Sequence, residues 1–226
     1  MTRALVWFRR DLRVLDNPAL AQACATANDG VVAAFITTPA QWKTHHDAPV
    51  KVDFWLRNLA CLSDSLAKLN IPLLVESRPN FAECPKAILN LAKARGCNAV
   101  YLNREYEVNE RQRDDDTETL LKENGIAVHR FHDRVVVPPR QIRTREGKFY
   151  SVFTPYRRVW DTVMKDHLNV SDKPARQKRL DIQPSKIPDT VTGYGIGDVR
   201  SDLWPCGEAE AGRRLAGFCK YPMQYD

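Results

Sequence analysis

Short apolar runs alternate with amphipathic stretches over the first two-thirds of the chain. Residues 3–8, 31–37, 72–77, 98–103 and 127–131 are apolar runs of strand length. Between them the apolar spacing changes to that of a helix. Val52, Trp55, Leu59, Leu62, Leu66 and Leu69 recur at steps of 3, 4, 3, 4 and 3, which places them on one stripe. The stripe is too short for a coiled coil and predicts a helix packed on a sheet. Asp16-Asn17-Pro18 predicts an earlier helix start, with a capping side chain ahead of proline at the first helical position. A third helix passes through Ile88 and Leu91 and stops near Gly96; a fourth follows Asn109 and stops near Gly125. Both glycines stand where a left-handed C-cap belongs.

Four helices joining five short strands imply right-handed crossovers and a parallel sheet covered on both faces. The expected fold is therefore α/β: a Rossmann-like, doubly wound, five-stranded parallel sheet over residues 1–135. Ligands in such folds sit beyond the carboxyl ends of the strands, near the switch in strand order.

The rhythm then changes. Residues 141–151 predict a β-hairpin turning at Glu146-Gly147. Residues 155–168 predict a helix with Trp160 and Val163 inward, so 136–169 forms an appended unit. Residues 170–205 hold Pro174, Pro184, Pro188 and Pro205 without sustained periodicity, which marks an interdomain linker or a loop draped over a surface. A last helix near 207–219 opens a unit, 206–226, that reads as the start of something larger.

Composition narrows the class. Of 226 residues 43% are hydrophobic and 27% charged, ordinary for a globular protein and unlike disordered, collagenous or coiled-coil chains. No run approaches the roughly 18 apolar residues that span a bilayer. The apolar stretch 4–8 is too short for a signal peptide and is followed at once by Arg9 and Arg10. A cytoplasmic protein without a membrane partner is expected. The six cysteines lack a C-x-x-C pair, which predicts isolated core or surface thiols. The net charge of +6 is unevenly spread, because residues 130–180 hold 13 basic and 5 acidic side chains. That segment fits either a polyanion partner or a solvated linker.

Candidate chemistry begins at the first strand-to-helix turn. Trp7-Phe8-Arg9-Arg10-Asp11-Leu12-Arg13 contains no glycine, which excludes a dinucleotide fingerprint or P-loop there. Its charges suit an ion-pair network fixing the loop, or else an anion site. The histidines do not suggest a metal site: His129 and His132 should point to opposite faces of a strand, and His45 and His46 diverge. After the fourth strand, residues 103–111 mix an amide, carboxylates and an aromatic. Asn109 and Glu110 could read a heterocycle with an amide-like edge, a pterin or purine. They could also cap the next helix, which their residue types alone favour. Asp114-Asp115-Asp116 reads as a solvated run favouring a helix dipole. No catalytic signature stands out.

Taken in order, these segments resemble the N-terminal region of the DNA photolyase/cryptochrome family. Leu5-Val6-Trp7-Phe8-Arg9-Arg10-Asp11-Leu12-Arg13 with Asp16-Asn17-Pro18-Ala19-Leu20 is similar to its first strand, loop and helix start. Thr38-Pro39-Ala40-Gln41-Trp42 with His45 resembles the segment after the second strand. Tyr106-Glu107-Val108-Asn109-Glu110-Arg111 and Phe149-Tyr150-Ser151-Val152-Phe153-Thr154-Pro155-Tyr156 continue the likeness, which covers essentially the whole chain.

The resemblance implies an α/β domain that carries an antenna pigment. A larger helical domain follows it, holding FAD and gripping the flipped pyrimidine dimer of UV-damaged DNA. In the folate-using branch the antenna is 5,10-methenyltetrahydrofolate, and its contacts carry over to His45, Asn109 and Glu110. This moves Asn109 and Glu110 from capping towards pterin recognition and favours folate over a deazaflavin. Tyr221 aligns with a tyrosine that touches FAD in the family. Tyr225 stands before Asp226 where the family pattern expects arginine, and the chain stops where the helical domain begins. The expectation is a monomeric antenna domain of a folate-class cyclobutane pyrimidine dimer photolyase, missing its helical domain and inactive in repair alone. A cryptochrome-like photoreceptor fragment is the alternative within the family. A free-standing nucleotide- or nucleic-acid-binding module is the alternative outside it.

Overall fold

A computed structural model describes residues 1–195 and 201–220 of the chain. Five parallel strands, β1 (Ala4–Phe8), β2 (Val31–Thr37), β3 (Leu73–Ser77), β4 (Ala99–Asn103) and β5 (Ala127–Phe131), form one sheet in the order β3-β2-β1-β4-β5. Both outward windings start from β1, so the strand order reverses between β1 and β4. The helices of the domain are α1 (Pro18–Thr26), α2 (Pro39–Thr44), α3 (Pro49–Ala67), α4 (Cys84–Ala94) and α5 (Val108–Glu123). The doubly wound α/β fold is the one the alternating pattern predicts.

The pleat of β1 divides the core in two. Ala4, Val6 and Phe8 join Leu20 of α1 and Val52, Leu59 and Leu66 of α3 on one face. Leu5 and Trp7 join Ile88 and Leu91 of α4 and Leu121 of α5 on the other. Every residue of β1, β2 and β4 is buried, as a strand covered on both faces requires. The Asn17 side chain caps α1 by accepting from the Leu20 amide at 3.1 Å, and Pro18 opens the helix. In α3 the stripe buries Val52, Leu59, Leu62 and Leu66 together with Leu56, while Trp55 is half-buried. The six-residue α2 was not visible as a pattern, because it is shorter than two turns.

Two expectations are corrected. The turn at Glu146-Gly147 exists, with the Gly147 amide donating to the Thr144 carbonyl at 2.9 Å. No strands flank it, so residues 141–151 are not a β-hairpin. Its far arm, 148–151, is exposed or half-exposed, and an isolated two-stranded ribbon is marginal in water. The following helix, α6 (Phe153–Val163), starts two residues earlier than predicted and ends in a 3-10 turn, Met164–His167. A final helix, α7, covers Glu208–Lys220.

The proline-rich segment lies on the domain surface. The Ser185 amide donates to the Leu73 carbonyl at 2.8 Å, and Ser185 Oγ accepts from the Val75 amide at 3.0 Å. It therefore covers the open edge of β3, a position that otherwise invites strand pairing. Leu180 of the same segment comes within 2.9–3.2 Å of where a Cβ would stand on Gly30, whose φ is +94°. Only glycine meets both demands there.

Candidate functional site

The carboxyl ends of β1 and β4 meet at the reversal in strand order, where doubly wound folds bind ligands. Asn103, the last residue of β4, is the buried hub of this end. Its Nδ2 donates to Asp11 Oδ2 at 2.7 Å and Asn17 Oδ1 at 2.9 Å, and its Oδ1 accepts from the Ala19 amide at 3.2 Å. These bonds tie the loop after β1 to the start of α1.

Arg9, Arg10 and Arg13 all form ion pairs, so the network reading of this loop holds. Arg13 pairs with Asp133 at 2.5 Å. Arg10 reaches Glu110 at 2.9 Å and Glu107 at 2.8 Å. Arg9 donates to the carbonyls of Trp7 and Asn103 and lies 3.3 Å from Asp114. Arg113 completes the cluster, 2.7 Å from Glu105 and 2.6 Å from Asp114, with its guanidinium over the rings of Trp7 and Phe81. Asp114 is fully buried, which overturns its assignment to a solvated charge run. Asp115 and Asp116 fit that assignment better, bonding Arg130 and Gln112 near the surface.

Burial opposes the charge on Glu105, but Arg9 and Arg113 outweigh it and hold the carboxyl below its ordinary value. Glu107 is lowered to about 2: burial opposes its charge, and its own backbone amide and Arg134 overcome that. A depressed folded-state value contributes stability that is complete above the unfolded carboxylate range and is lost as pH falls through the folded value. The domain is therefore expected to hold its denaturant midpoint from pH 7 to about 5 and lose stability steadily below about 4.5. Chemical denaturation at a series of pH values tests this. A midpoint unchanged at pH 3 would rule out a stabilising role for these carboxylates.

The structure brings three of the predicted residues together. His45 follows α2, and Asn109 and Glu110 lie in the first turn of α5. His45 Nε2 is 2.9 Å from Gln41 Nε2 and 3.1 Å from Asn109 Nδ2. With amide nitrogens as the donors, the imidazole nitrogen is the acceptor. Glu110 is buried and its Oε1 accepts from Arg10, while its Oε2 has no hydrogen bond among the described residues. Neither Asn109 nor Glu110 is the N-cap of α5, which is Glu107, but both lie in its first turn, where the Glu110 carboxylate suits the helix dipole. Tyr221 lies outside the described residues.

His45 and Glu110 border a cleft walled by Trp42, Trp55 and Phe81 and floored by Phe35 and Ile36. The cleft holds about 40 Å³, room for a few waters. The His45 ring meets Phe81 edge-on at 5.9 Å. The arrangement offers aromatic faces, the buried carboxylates of Glu105 and Glu110, each with an oxygen that makes no hydrogen bond among the described residues, and the amides of Gln41 and Asn109 against His45. That set suits a planar heterocycle with neighbouring N–H donors. Trp55, Phe81 and Arg113 were not singled out from sequence. Trp55 was assigned to the apolar stripe of α3, and Arg113 was lost in the charged run of α5.

Elsewhere, His129 stacks on Tyr101 at 4.6 Å and His132 Nδ1 lies 2.6 Å from the Tyr106 hydroxyl. Among the described residues, no cluster of three His, Cys, Asp or Glu is placed to hold a metal ion. No helix among them is long and apolar enough to cross a membrane.

The fold and the sequence have counterparts among known proteins. The family model for DNA photolyase matches residues 4–177. The deoxyribodipyrimidine photo-lyase of Vibrio cholerae is 37% identical over 97% of this chain and 47% of its own length. That of Escherichia coli is 32% identical over 97% of this chain and 46% of its own. A class III photolyase from Agrobacterium tumefaciens superposes with a TM-score of 0.77 at 24% identity, covering 96% of this chain and 44% of that one. The chain thus spans about half the length of the curated relatives it matches. By sequence over most of its length, this chain belongs to the DNA photolyase family.

Proposed function

We propose that this chain is the antenna-pigment domain of a cytoplasmic, monomeric, light-driven deoxyribodipyrimidine photolyase of the folate class. Glu110 carries the reading. Arg10 holds one of its oxygens and leaves the other to accept from the amide-like edge of a pterin, within a cleft walled by aromatic rings. Asn109 and His45 at the rim order the same edge, and Gln41 keeps the imidazole in place. The residues present therefore fit 5,10-methenyltetrahydrofolate. Bound there, the folate would supply near-ultraviolet absorption and pass its excitation onward.

Residues 1–135 would form this antenna domain, with 136–169 appended, 170–205 as the linker and 206–226 opening a helical domain. FAD held by that domain, touched by Tyr221, would supply the electron that splits a cyclobutane dimer in UV-damaged DNA. The exposed apolar side chains of Phe149 ahead of α6, Phe153 and Tyr156 on α6, and Leu215 and Phe218 on α7 support a helical partner that covers them. The chain's own residues bind and orient the pigment and provide no reacting group.

Titrating the purified chain with methenyltetrahydrofolate, followed by absorbance and fluorescence, tests the proposal. Binding is expected, and Glu110→Ala should weaken it about 10- to 100-fold, the range for hydrogen bonds to a charged group. Glu110→Gln preserves the shape of the side chain, so an equal loss there assigns the effect to charge. Absence of binding, or binding indifferent to both substitutions, would refute the antenna assignment.

A further inference from the structure

Six cysteines without a motif read from sequence as isolated thiols, but the fold brings two of them together. Cys61 Sγ in α3 lies 3.4 Å from Cys206 Sγ, although the two are 145 residues apart in the chain. The approach is built into the surroundings. Gly207 has φ +99°, and a Cβ there would stand 3.2 Å from Cys61 Sγ, so a glycine is what lets the strand of chain after Cys206 press against α3. The Gly207 amide donates to Asn58 Oδ1 at 2.9 Å, and the Glu208 carboxylate accepts from the Val14 and Leu15 amides at 3.0 and 2.7 Å. Arg57 donates to the Trp204 carbonyl at 2.8 Å through Nη1, while its Nη2 is buried without a hydrogen-bond partner.

We propose that Cys61 and Cys206 are a peroxide-responsive pair that closes into a reversible disulfide, fastening the start of α7 to α3. The other cysteines are poorly suited. Burial pushes the Cys24 and Cys97 thiols up to about 12 and that of Cys84 up to about 11, which keeps them protonated and unreactive. Cys219 is exposed on α7 with no second thiol beside it among the described residues. Cys61 and Cys206 are half-buried, open to a small hydroperoxide yet held within reach of each other.

In the first step the Cys206 sulfur, as thiolate, attacks one oxygen of a hydroperoxide and the O–O bond breaks. Cys206 becomes a sulfenic acid, and the other oxygen leaves as an alcohol, or as water from hydrogen peroxide, after taking a proton. Arg57, whose Nη1 holds the Trp204 carbonyl two residues before this sulfur, places a positive charge near the anion that attacks. In the second step the Cys61 sulfur attacks the sulfenic sulfur. The S–S bond forms, the S–O bond breaks, and the hydroxide leaves with the Cys61 proton as water. Two thiols give up two electrons, and the peroxide gains two.

The test treats the purified chain with equimolar hydrogen peroxide at neutral pH, alkylates the remaining thiols and maps the peptides by mass spectrometry. The expected result is one linked pair joining the Cys61 and Cys206 peptides, lighter by two hydrogens and reversed by dithiothreitol. In Cys61→Ser, Cys206 should accumulate as a sulfenic acid trapped by dimedone. In Cys219→Ser the same Cys61–Cys206 link should form. Recovery of both cysteines alkylated after peroxide, or a link from either one to Cys219 in its place, would overturn the proposal.

Discussion

Replacing Asp114 with alanine is expected to cost about 3–5 kcal/mol of stability, the range for removing one partner of a buried ion pair. Asp114 is fully buried, and its Oδ1 accepts from Arg113 Nε at 3.0 Å and Nη2 at 2.6 Å. Its other oxygen lies 3.3 Å from Arg9. Without it, two buried guanidinium groups share the single carboxylate of Glu105, and water cannot replace what they lose. The neighbouring Asp115 is the control. Its side chain is 62% exposed against Arg130, which keeps Glu118 as a second partner, so Asp115→Ala should cost less than about 1 kcal/mol. Urea unfolding of both variants at pH 7 gives the comparison. Equal losses would mean that the network around Arg113 does not hold the domain together.

The same residues explain which parts of the molecule the sequence disclosed. The strands were found to within a residue because β1, β2 and β4 are buried on both sides and are apolar along nearly their whole length. The stripe of α3 was equally legible, since it packs apolar residues on an apolar sheet. The inner face of α5 is of another kind. Its buried positions are Glu110, Arg113, Asp114, Thr117 and Leu121, a helical stripe in which four of five members are polar. A search for apolar periodicity passes over such a face, and the charged run then looks solvated. The spacing was nevertheless present: Glu110, Arg113, Asp114 and Thr117 fall at i, i+3, i+4 and i+7. The candidate site was half legible for a related reason. Asn109 and Glu110 were candidates by residue type and position and His45 came from a family resemblance, whereas Arg10 as the holder of Glu110 required a pairing 100 residues apart in the chain. The false hairpin at 141–151 shows the opposite error, a correct turn extended into strands that had no sheet to join.

Trp7→Ala is expected to destabilise the chain by about 3–5 kcal/mol, the range for a buried large aromatic, whereas Trp7→Phe should cost less than about 2 kcal/mol. Trp7 is 1% exposed in the central strand, with the Arg9 guanidinium 4.8 Å and the Arg113 guanidinium 4.9 Å from its ring. Alanine removes the ring volume and both cation–π contacts. Phenylalanine keeps an aromatic face for the two arginines. It also removes the Trp7 Nε1–H, which is buried without a hydrogen-bond partner. An unpaired buried donor costs about 1–3 kcal/mol, which offsets much of the volume lost in going from indole to phenyl. The two variants also separate packing from site geometry. Arg113 stands between Trp7 and Phe81, the ring that walls the cleft. Trp7→Phe should therefore retain methenyltetrahydrofolate binding, and Trp7→Ala should lose most of it at temperatures where the chain remains folded. If phenylalanine proves as costly as alanine by denaturant unfolding, the aromatic face is not what holds Arg9 and Arg113 in place.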